Sequence, residues 1–439
     1  MLTIDQTYQQ HLETLQQRAE AVMDQQQLDA LIIHSGYPLP VFLDDNHYPF
    51  KANPHFKHWL PLCEHPHCWL IIVSGAKPVL VYHQSDDYWH SDKPLAGDWL
   101  SHFDVKIMRQ PQDVEPFLPA GRNRCAYLGD HPELAEALAI GERNPEAVLN
   151  YLHYYRSYKT DYEVECISMA NGRALRAHTA AKEAFYAGAS EFEIHLAYLS
   201  SLGEGENQLP YPNIVALNEH AAVLHYDRQL PHALPEAKLH SFLLDAGAQY
   251  RGYAADITRT YAYRKGVFAE LVAEMDSLQQ SLANAIAPGK RFLDLHNKTH
   301  RLVAKLLVDF QLIRCGASAA VEQGLTRYFF PHGLGHFLGL QVHDVAGFMQ
   351  DPQGTHLAAP DNAPFLRCTR VLESSQVLTI EPGLYFIDSL LAKLAESEFA
   401  GEVNWEQVDE LRRYGGIRIE DNVLVTDNGA RNLTRELEH

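Results

Sequence analysis

Hydrophobic and polar positions follow two different rhythms in the two parts of this chain. In the first, residues 7–26 predict a helix, and a short apolar run follows at Ala30–His34. Further apolar, β-branched runs at Trp69–Val73, residues 79–82, residues 105–108 and Cys125–Leu128 predict strands, separated by turn-rich pieces at residues 38–40 and 51–54. That alternation describes an α/β domain on a mixed sheet. The rhythm changes near residues 156–160. Thr160-Asp161-Tyr162-Glu163 is a capping box opening a helix to about Tyr186, with Gly188 suited to a left-handed end, and Ser190-Glu191-Phe192-Glu193 repeats the device. Strands are expected at residues 213–217 and 221–226, helices at about 270–287 and 293–309, and mostly strand from Phe329 onward. Long capped helices with antiparallel strands make the second part α+β. At 439 residues the chain exceeds a single core, so two domains are expected, residues 1–155 and 156–439.

The stretch from Leu244 to Thr260, LDAGAQYRGYAADITRT, reads as a hairpin turning at Gln249-Tyr250-Arg251-Gly252. Closing it on Tyr250-Arg251 sets Asp245 directly opposite Asp256, with Cβ atoms ~4.5–5.5 Å apart. Like charges so placed are unfavourable unless a cation lies between them. The alternative is a slipped register that leaves both carboxylates in water. Residues 330–347, FPHGLGHFLGLQVHDVAG, hold His332, His336 and His343 among glycines that favour an extended, closely approached backbone. Any one of these is an ordinary hydrogen-bonded histidine; three together point to a site. In VLTIEP, residues 377–382, alternation puts Glu381 on the face of Val377 and Thr379, and Pro382 ends the ladder. In GGIRIEDNVLV, residues 415–425, Arg418 and Glu420 share a face and, taken alone, read as a solvent-facing pair on an edge strand. Asp44-Asp45 and Trp89 beside His90 read as surface acid and a half-buried tryptophan.

Composition narrows the field. The hydrophobic share of 46% and charged share of 21% are ordinary globular values, while a net charge of −20 disfavours nucleic acid and anionic membranes as partners. Residues 1–10 lack a secretory pattern, and no apolar run is long enough for a bilayer. Six scattered cysteines without a CxxC pair fit a reducing compartment, so a cytoplasmic location is expected. Asp245, Asp256, His336, Glu381 and Glu420 supply four carboxylates and one imidazole, whose charge two divalent cations would cancel. Such an oxygen-rich set suits Mn²⁺, with Co²⁺, Zn²⁺ or Fe²⁺ as substitutes. Two metals ~3.5–4 Å apart are the usual arrangement for hydrolysis.

The motifs DAG…DITRT, PHGLGH…VHD, TIEPG and GIRIED, in that order, resemble the pita-bread metallopeptidases, specifically bacterial prolidases (Xaa-Pro dipeptidases). The likeness is strongest to the marine-bacterial forms also called organophosphorus acid anhydrolases, and it extends to FLDDNHYPF and PHCWLIIV in the first half. It implies a creatinase-like N-terminal domain for dimerisation and part of the active-site rim, then a pita-bread catalytic domain, as a homodimer. It implies a dinuclear Mn²⁺ centre with Asp256 and Glu420 bridging, Asp245 chelating one ion, and His336 and Glu381 completing the other. The implied activity is hydrolysis of Xaa-Pro dipeptides by a metal-bridged hydroxide, with organophosphorus triesters as a side activity. The alternative is an aminopeptidase P-type enzyme acting on longer peptides. Glu381 would shuttle the proton, and His343 or His332 would donate to the oxyanion. Arg367 and His225 would hold the substrate carboxylate, and Arg418 would support Glu420. Tyr211, Leu366 and Phe292 would line pockets, Phe292 standing where near kin carry tyrosine. The resemblance also brings Asp45 and Trp89 to the site from a partner subunit, against their surface reading.

Overall fold

The computed structural model describes residues 3–89 and 95–438. The chain divides into two compact units, residues 1–166 with 350–355, and residues 167–349 with 356–439. In the first, the six strands run in the order Asp104–Met108, Val79–His83, Trp69–Val73, Ala30–His34, Cys125–Leu128, Glu142–Arg143. Ala30–His34 pairs antiparallel with Trp69–Val73 and parallel with Cys125–Leu128, so the sheet is mixed as the pattern implies. The two-residue edge strand Glu142–Arg143 is too short and too polar to register in an apolar pattern. Helix Ile4–Gln26 starts earlier than its apolar spacing predicts because Thr3 and Gln6 form a capping box. Its buried Tyr8, Leu12, Leu15, Ala19 and Val22 recur every three or four residues, which turns one face inward.

The second unit is α+β. Its sheets are small: Thr258–Ala262, Ser241–Asp245 and Ile214–Leu217 form one, and Val377–Ile380, Asp421–Thr426 and Gly429–Asn432 another. Two-stranded pairs join Gln249–Tyr250 to Tyr253–Ala254 and Gly383–Tyr385 to Gly416–Arg418. A bridge between Thr258 and Glu420 links the first sheet to the segment between the others. Helices Val267–Ala283 and Phe292–Asp309 bury their apolar faces in a core shared with Leu378, Ile380 and Val423. Both expected capping boxes form: Thr160 N donates to Glu163 Oε2 at 2.9 Å, and Ser190 N to Glu193 Oε2 at 2.8 Å.

Two expectations fail. Residues 221–226 are no strand: a 3-10 turn, Asn218–Ala222, replaces it, because Asn218 takes φ 54° and its Oδ1 accepts from His240 N and Ser241 N. The region after Phe329 is mostly loop, stitched by isolated bridges such as Phe337 with Leu378, and includes helices Asp388–Ala395 and Trp405–Arg412. Prolines and glycines in residues 330–366 disfavour ladders, and single hydrogen bonds replace them there, while ladders form from Val377 onward. Among the described residues no helix is long and apolar enough to cross a membrane, and the six cysteines are unpaired.

Buried histidines mark the first unit. His34 packs against Trp69 with ring centres 4.2 Å apart and planes tilted by 32°, and burial, with His131 and His67 nearby, pulls it down to about 3. Between the unfolded value of 6.5 and that folded value, the unfolded chain binds a proton that the native chain refuses, so acidification destabilises. By pH 5 the loss from this residue is about 2 kcal/mol. We expect His34→Gln to lose less stability than wild type, by about that amount, when the pH falls from about 7.5 to about 5. Parallel denaturant melts measure it; equal losses in both chains would contradict the assignment.

Candidate metal centre

The hairpin closes one residue later than its sequence suggests. Its turn falls on Arg251 and Gly252, with φ 51° and 89°, and Tyr250 pairs with Tyr253. Two successive positive φ values are the demand of the tight hairpin turn whose twist matches the strands. Asp245 therefore lies opposite Thr258, not opposite Asp256. The register has moved two positions along the partner strand, and an even shift preserves the face. The two aspartates become diagonal neighbours on one side of the ribbon, close enough that Asp245 raises the pKa of Asp256. Gly247 permits this crossing, because a Cβ there would overlap the Ala255 carbonyl.

The remaining groups arrive from the histidine loop and the two strand ends. The loop is laced to strand Val377–Ile380: His336 N donates to Thr379 Oγ1 at 3.1 Å, Thr379 N to His336 O at 2.9 Å, and Glu381 N to Leu334 O at 2.9 Å. His336 Nδ1 donates to Phe337 O at 3.0 Å, leaving Nε2 as the lone-pair nitrogen. That atom lies 3.6 Å from Asp256 Oδ2 and 3.5 Å from Glu381 Oε1. Thr258 Oγ1 donates to Glu420 Oε2 at 2.7 Å, and Tyr211 OH to Asp256 Oδ1 at 2.6 Å. Arg418 Nη2 donates to Asp245 Oδ2 at 2.7 Å, while buried Asp245 Oδ1 has no partner. Ligand atoms of Asp256, His336 and Glu420 all lie within 4.8 Å of one another. Arg418 and Glu420 are 4% and 2% exposed, so the solvent-facing pair expected from the strand alone is overturned.

Electrostatics show which groups a cation would serve. Burial first, then the neighbouring carboxylates, drive Asp256 and Glu420 well above the usual carboxylate range. Burial raises Glu381 to about 7, with Arg418 opposing and Asp245 adding. Burial, with His343 beside it, brings His336 down to about 3, so it is a neutral donor at physiological pH. An orphaned Asp245 oxygen, crowded carboxylates and one neutral imidazole fit divalent metal ions.

A cavity of about 580 Å³ opens over these groups, walled by His225, His332, His343, Leu366 and Arg367 among others. His332 is fully engaged: Nδ1 donates to Gly333 O at 2.7 Å, and Nε2 takes the hydroxyl of Tyr385 at 2.8 Å. Tyr385 OH in turn accepts from Arg418 Nη1 at 3.2 Å. Burial, with Arg418 nearby, holds His332 down to about 3, so no ring N–H is left for a substrate. His343 sits edge-on to His336 at 4.4 Å and has no hydrogen bond among the described residues. Tyr211 stands behind Asp256. Phe292 is fully buried at a helix start and is not a cavity wall. Asp45 and Trp89 belong to the first unit and are exposed, Trp89 at 77% and not half-buried; His90 lies outside the described residues. Sequence reasoning missed Tyr385, Thr258 and Asn422. Tyr385, in TIEPGLYF, is a polar side chain in an apolar strand, a signal that it needs a buried partner but not of which one.

Residues 165–427 match the description "Metallopeptidase family M24", and residues 6–154 match "Xaa-Pro dipeptidase, N-terminal domain". The chain is thus a hydrolase of metallopeptidase family M24. It is 53% identical over 437 residues to the Xaa-Pro dipeptidase of Aeromonas hydrophila, covering 99% of both chains. To that of Shewanella amazonensis it is 54% identical over 432 residues, covering 98% of both. Within the family it belongs with the Xaa-Pro dipeptidases. Aminopeptidase P from E. coli, solved with the inhibitor Pro-Leu, superposes with TM-score 0.74 at 23% identity, over 100% of this chain and 98% of that one. Proline aminopeptidase P II from Yersinia pestis gives 0.71 at 23%, over 99% and 97%. These likenesses establish the fold, a creatinase-like first domain and a pita-bread catalytic domain.

Metal loading should release protons, because raised carboxyl groups hold them when no cation is present. With Glu381 at about 7, Mn²⁺ titration of metal-free enzyme at neutral pH should release at least about half a proton per chain. Calorimetry in two buffers of different ionisation enthalpy reads this number. Buffer-independent heats would contradict it.

Proposed function

We propose that this enzyme is a cytoplasmic, homodimeric Xaa-Pro dipeptidase whose second unit holds two divalent cations, Mn²⁺ by preference. Asp256 and Glu420 would hold both ions, Asp245 one, and His336 and Glu381 the other. When bound, the pair supplies an activated water and Lewis acidity at a carbonyl oxygen, or at a phosphoryl oxygen in a side reaction on phosphotriesters. The observation that carries this reading is the convergence of four carboxylates, Asp256 and Glu420 buried and Asp245 and Glu381 half-buried, with one neutral imidazole under a cavity with a guanidinium at its wall.

The other tasks fall to this chain's own side chains. Glu381, at the cavity lining, would carry a proton from the attacking water to the leaving imino nitrogen. His343 donates to the carbonyl oxygen as charge develops; His332, held by Tyr385, keeps its place as a neutral wall. Arg367, exposed at the cavity and without a side-chain hydrogen bond among the described residues, grips the proline carboxylate with His225. A substrate ending at proline places its carboxylate there, so the grip selects dipeptides over longer Xaa-Pro peptides. An imide nitrogen brings no N–H, so the cavity needs no acceptor for it. Leu366 packs on the pyrrolidine ring. Residues 1–155 form the dimerisation and rim domain, with Asp45 and Trp89 reaching a partner's site.

Asp256→Asn should lower turnover of Ala-Pro by on the order of 1,000-fold and reduce bound metal. Near-normal rates at full metal content would reject its role. Arg367→Ala should raise KM for Ala-Pro by roughly 10–100-fold, the worth of a charged hydrogen-bond pair, and leave a carboxylate-free phosphotriester nearly unaffected. Equal losses on both substrates would make Arg367 structural. Efficient cleavage of Ala-Pro-Ala by wild type would favour the aminopeptidase P-type reading.

A further inference from the structure

The first unit contains another group of metal-ligating side chains, outside the catalytic cavity and unused by the chemistry above. His11 comes from helix Ile4–Gln26, His58 from helix Pro54–Trp59, and Glu163 from the first turn of helix Asp161–Tyr186. All three are buried, and one ligand atom from each lies within 4.8 Å of the others. We propose that His11, His58 and Glu163 form a closed structural site for Zn²⁺ that ties these three helix segments together.

Hydrogen bonding has already prepared the ligands. His11 Nε2 lies 2.8 Å from His58 O, and a carbonyl can only accept, so the ring proton sits on Nε2. Nδ1 is therefore the lone-pair nitrogen, 2.8 Å from Thr160 Oγ1 and 3.8 Å from Glu163 Oε2. A ligating imidazole commonly gives its other N–H to a backbone carbonyl in this way, which fixes both tautomer and orientation. Glu163 is held as firmly, since Oε2 accepts the capping bond from Thr160 N at 2.9 Å.

The remaining donors have only each other. His58 Nε2 and Glu163 Oε1 are buried 3.3 Å apart, interact with each other, and have no other hydrogen-bond partner among the described residues. A tetrahedral ion with bonds of ~2.0–2.1 Å separates its ligand atoms by ~3.3–3.4 Å, so this spacing is that of a shared cation. Two imidazoles and one carboxylate match the nitrogen-and-oxygen preference of zinc, whereas calcium and magnesium call for oxygen alone. The fourth position falls to a water. Burial, the largest influence on both histidines, keeps them uncharged at neutral pH, and the Thr160 hydroxyl that donates to His11 Nδ1 at 2.8 Å would turn away to release that lone pair. The fields of Arg18, Arg156 and Lys159 also reach these groups and oppose a dication. Affinity should therefore fall short of cysteine-rich zinc sites, in the micromolar range.

The test uses the Mn²⁺-loaded enzyme equilibrated with micromolar Zn²⁺, as wild type, His58→Gln and Glu163→Gln. Anomalous diffraction at the zinc edge should show a peak among the three side chains of wild type and none in either variant. Zinc content should drop by one equivalent per chain in the variants while Ala-Pro turnover stays at the wild-type rate, and zinc should raise the Tm of wild type alone. A wild-type crystal without that peak, or equal zinc content in folded wild type and His58→Gln, would overturn the proposal. If neither variant folds, the wild-type anomalous map decides by itself.

Discussion

Four carboxylates crowd the floor of one cavity beside a single buried guanidinium, that of Arg418, and much of the second unit is arranged around that imbalance. Of the four carboxylates Arg418 donates only to Asp245, its other donors going to Tyr385 and Thr258. Asp256 and Glu420 receive only neutral donors, from Tyr211 and Thr258, each of which binds one oxygen and leaves the other free. A second arginine would relieve the repulsion but would occupy the oxygens that a cation needs. The partial satisfaction is therefore a requirement of function: hydroxyl donors orient a carboxylate without cancelling its charge.

Strand alternation keeps this unstable group apart from the charges that brace it. Glu420 faces the cavity, while its neighbour Asp421 is turned into a separate network with Arg259 and Arg435 at 2.8 Å each. Arg259 also donates to the backbone carbonyls of Thr258 and Glu420, so it fastens the two strands that carry the site at the point where they bridge. Asn422 closes the arrangement through Asp256, accepting from its amide and donating to its carbonyl. Successive residues of one short segment thus line the cavity, brace it and position its neighbours. A buried ion pair adds little net stability when its desolvation is counted, but it fixes geometry, and geometry is what the ligands need.

The sequence was most legible where a local rule decides the outcome. Capping boxes at Thr160 and Ser190, the buried strand Ala30–His34 and the convergence of Asp256, His336 and Glu420 all follow from short-range patterns. Register did not, because it depended on whether Arg251 accepts a positive φ, and arginine announces no such preference. Yet the same-face relation of Asp245 and Asp256 survived, since parity is more robust than pairing. The Arg418–Glu420 pair was misjudged for a different reason. A charged pair on a strand looks identical in sequence whether it faces water or a site, and only the segments packed above it distinguish the two cases. Tyr385 was illegible because its partners, His332 and Arg418, lie far away along the chain.

His332 and His343 show how identical side chains in one loop acquire different work. Both line the cavity, and burial keeps both neutral, at about 3 and about 4. A neutral imidazole has one donor and one acceptor, so its availability depends on what the protein already offers each nitrogen. His332 has both filled, by Gly333 O and the Tyr385 hydroxyl, and that hydroxyl can donate to it because it accepts from Arg418. The chain from Asp245 through Arg418 and Tyr385 to His332 therefore fixes every proton along it. His343, outside this chain and exposed, keeps its hydrogen-bonding capacity for whatever enters the cavity. A residue fixed in this way can shape a pocket but cannot answer charge developing on a substrate, whereas an unengaged donor at the wall can.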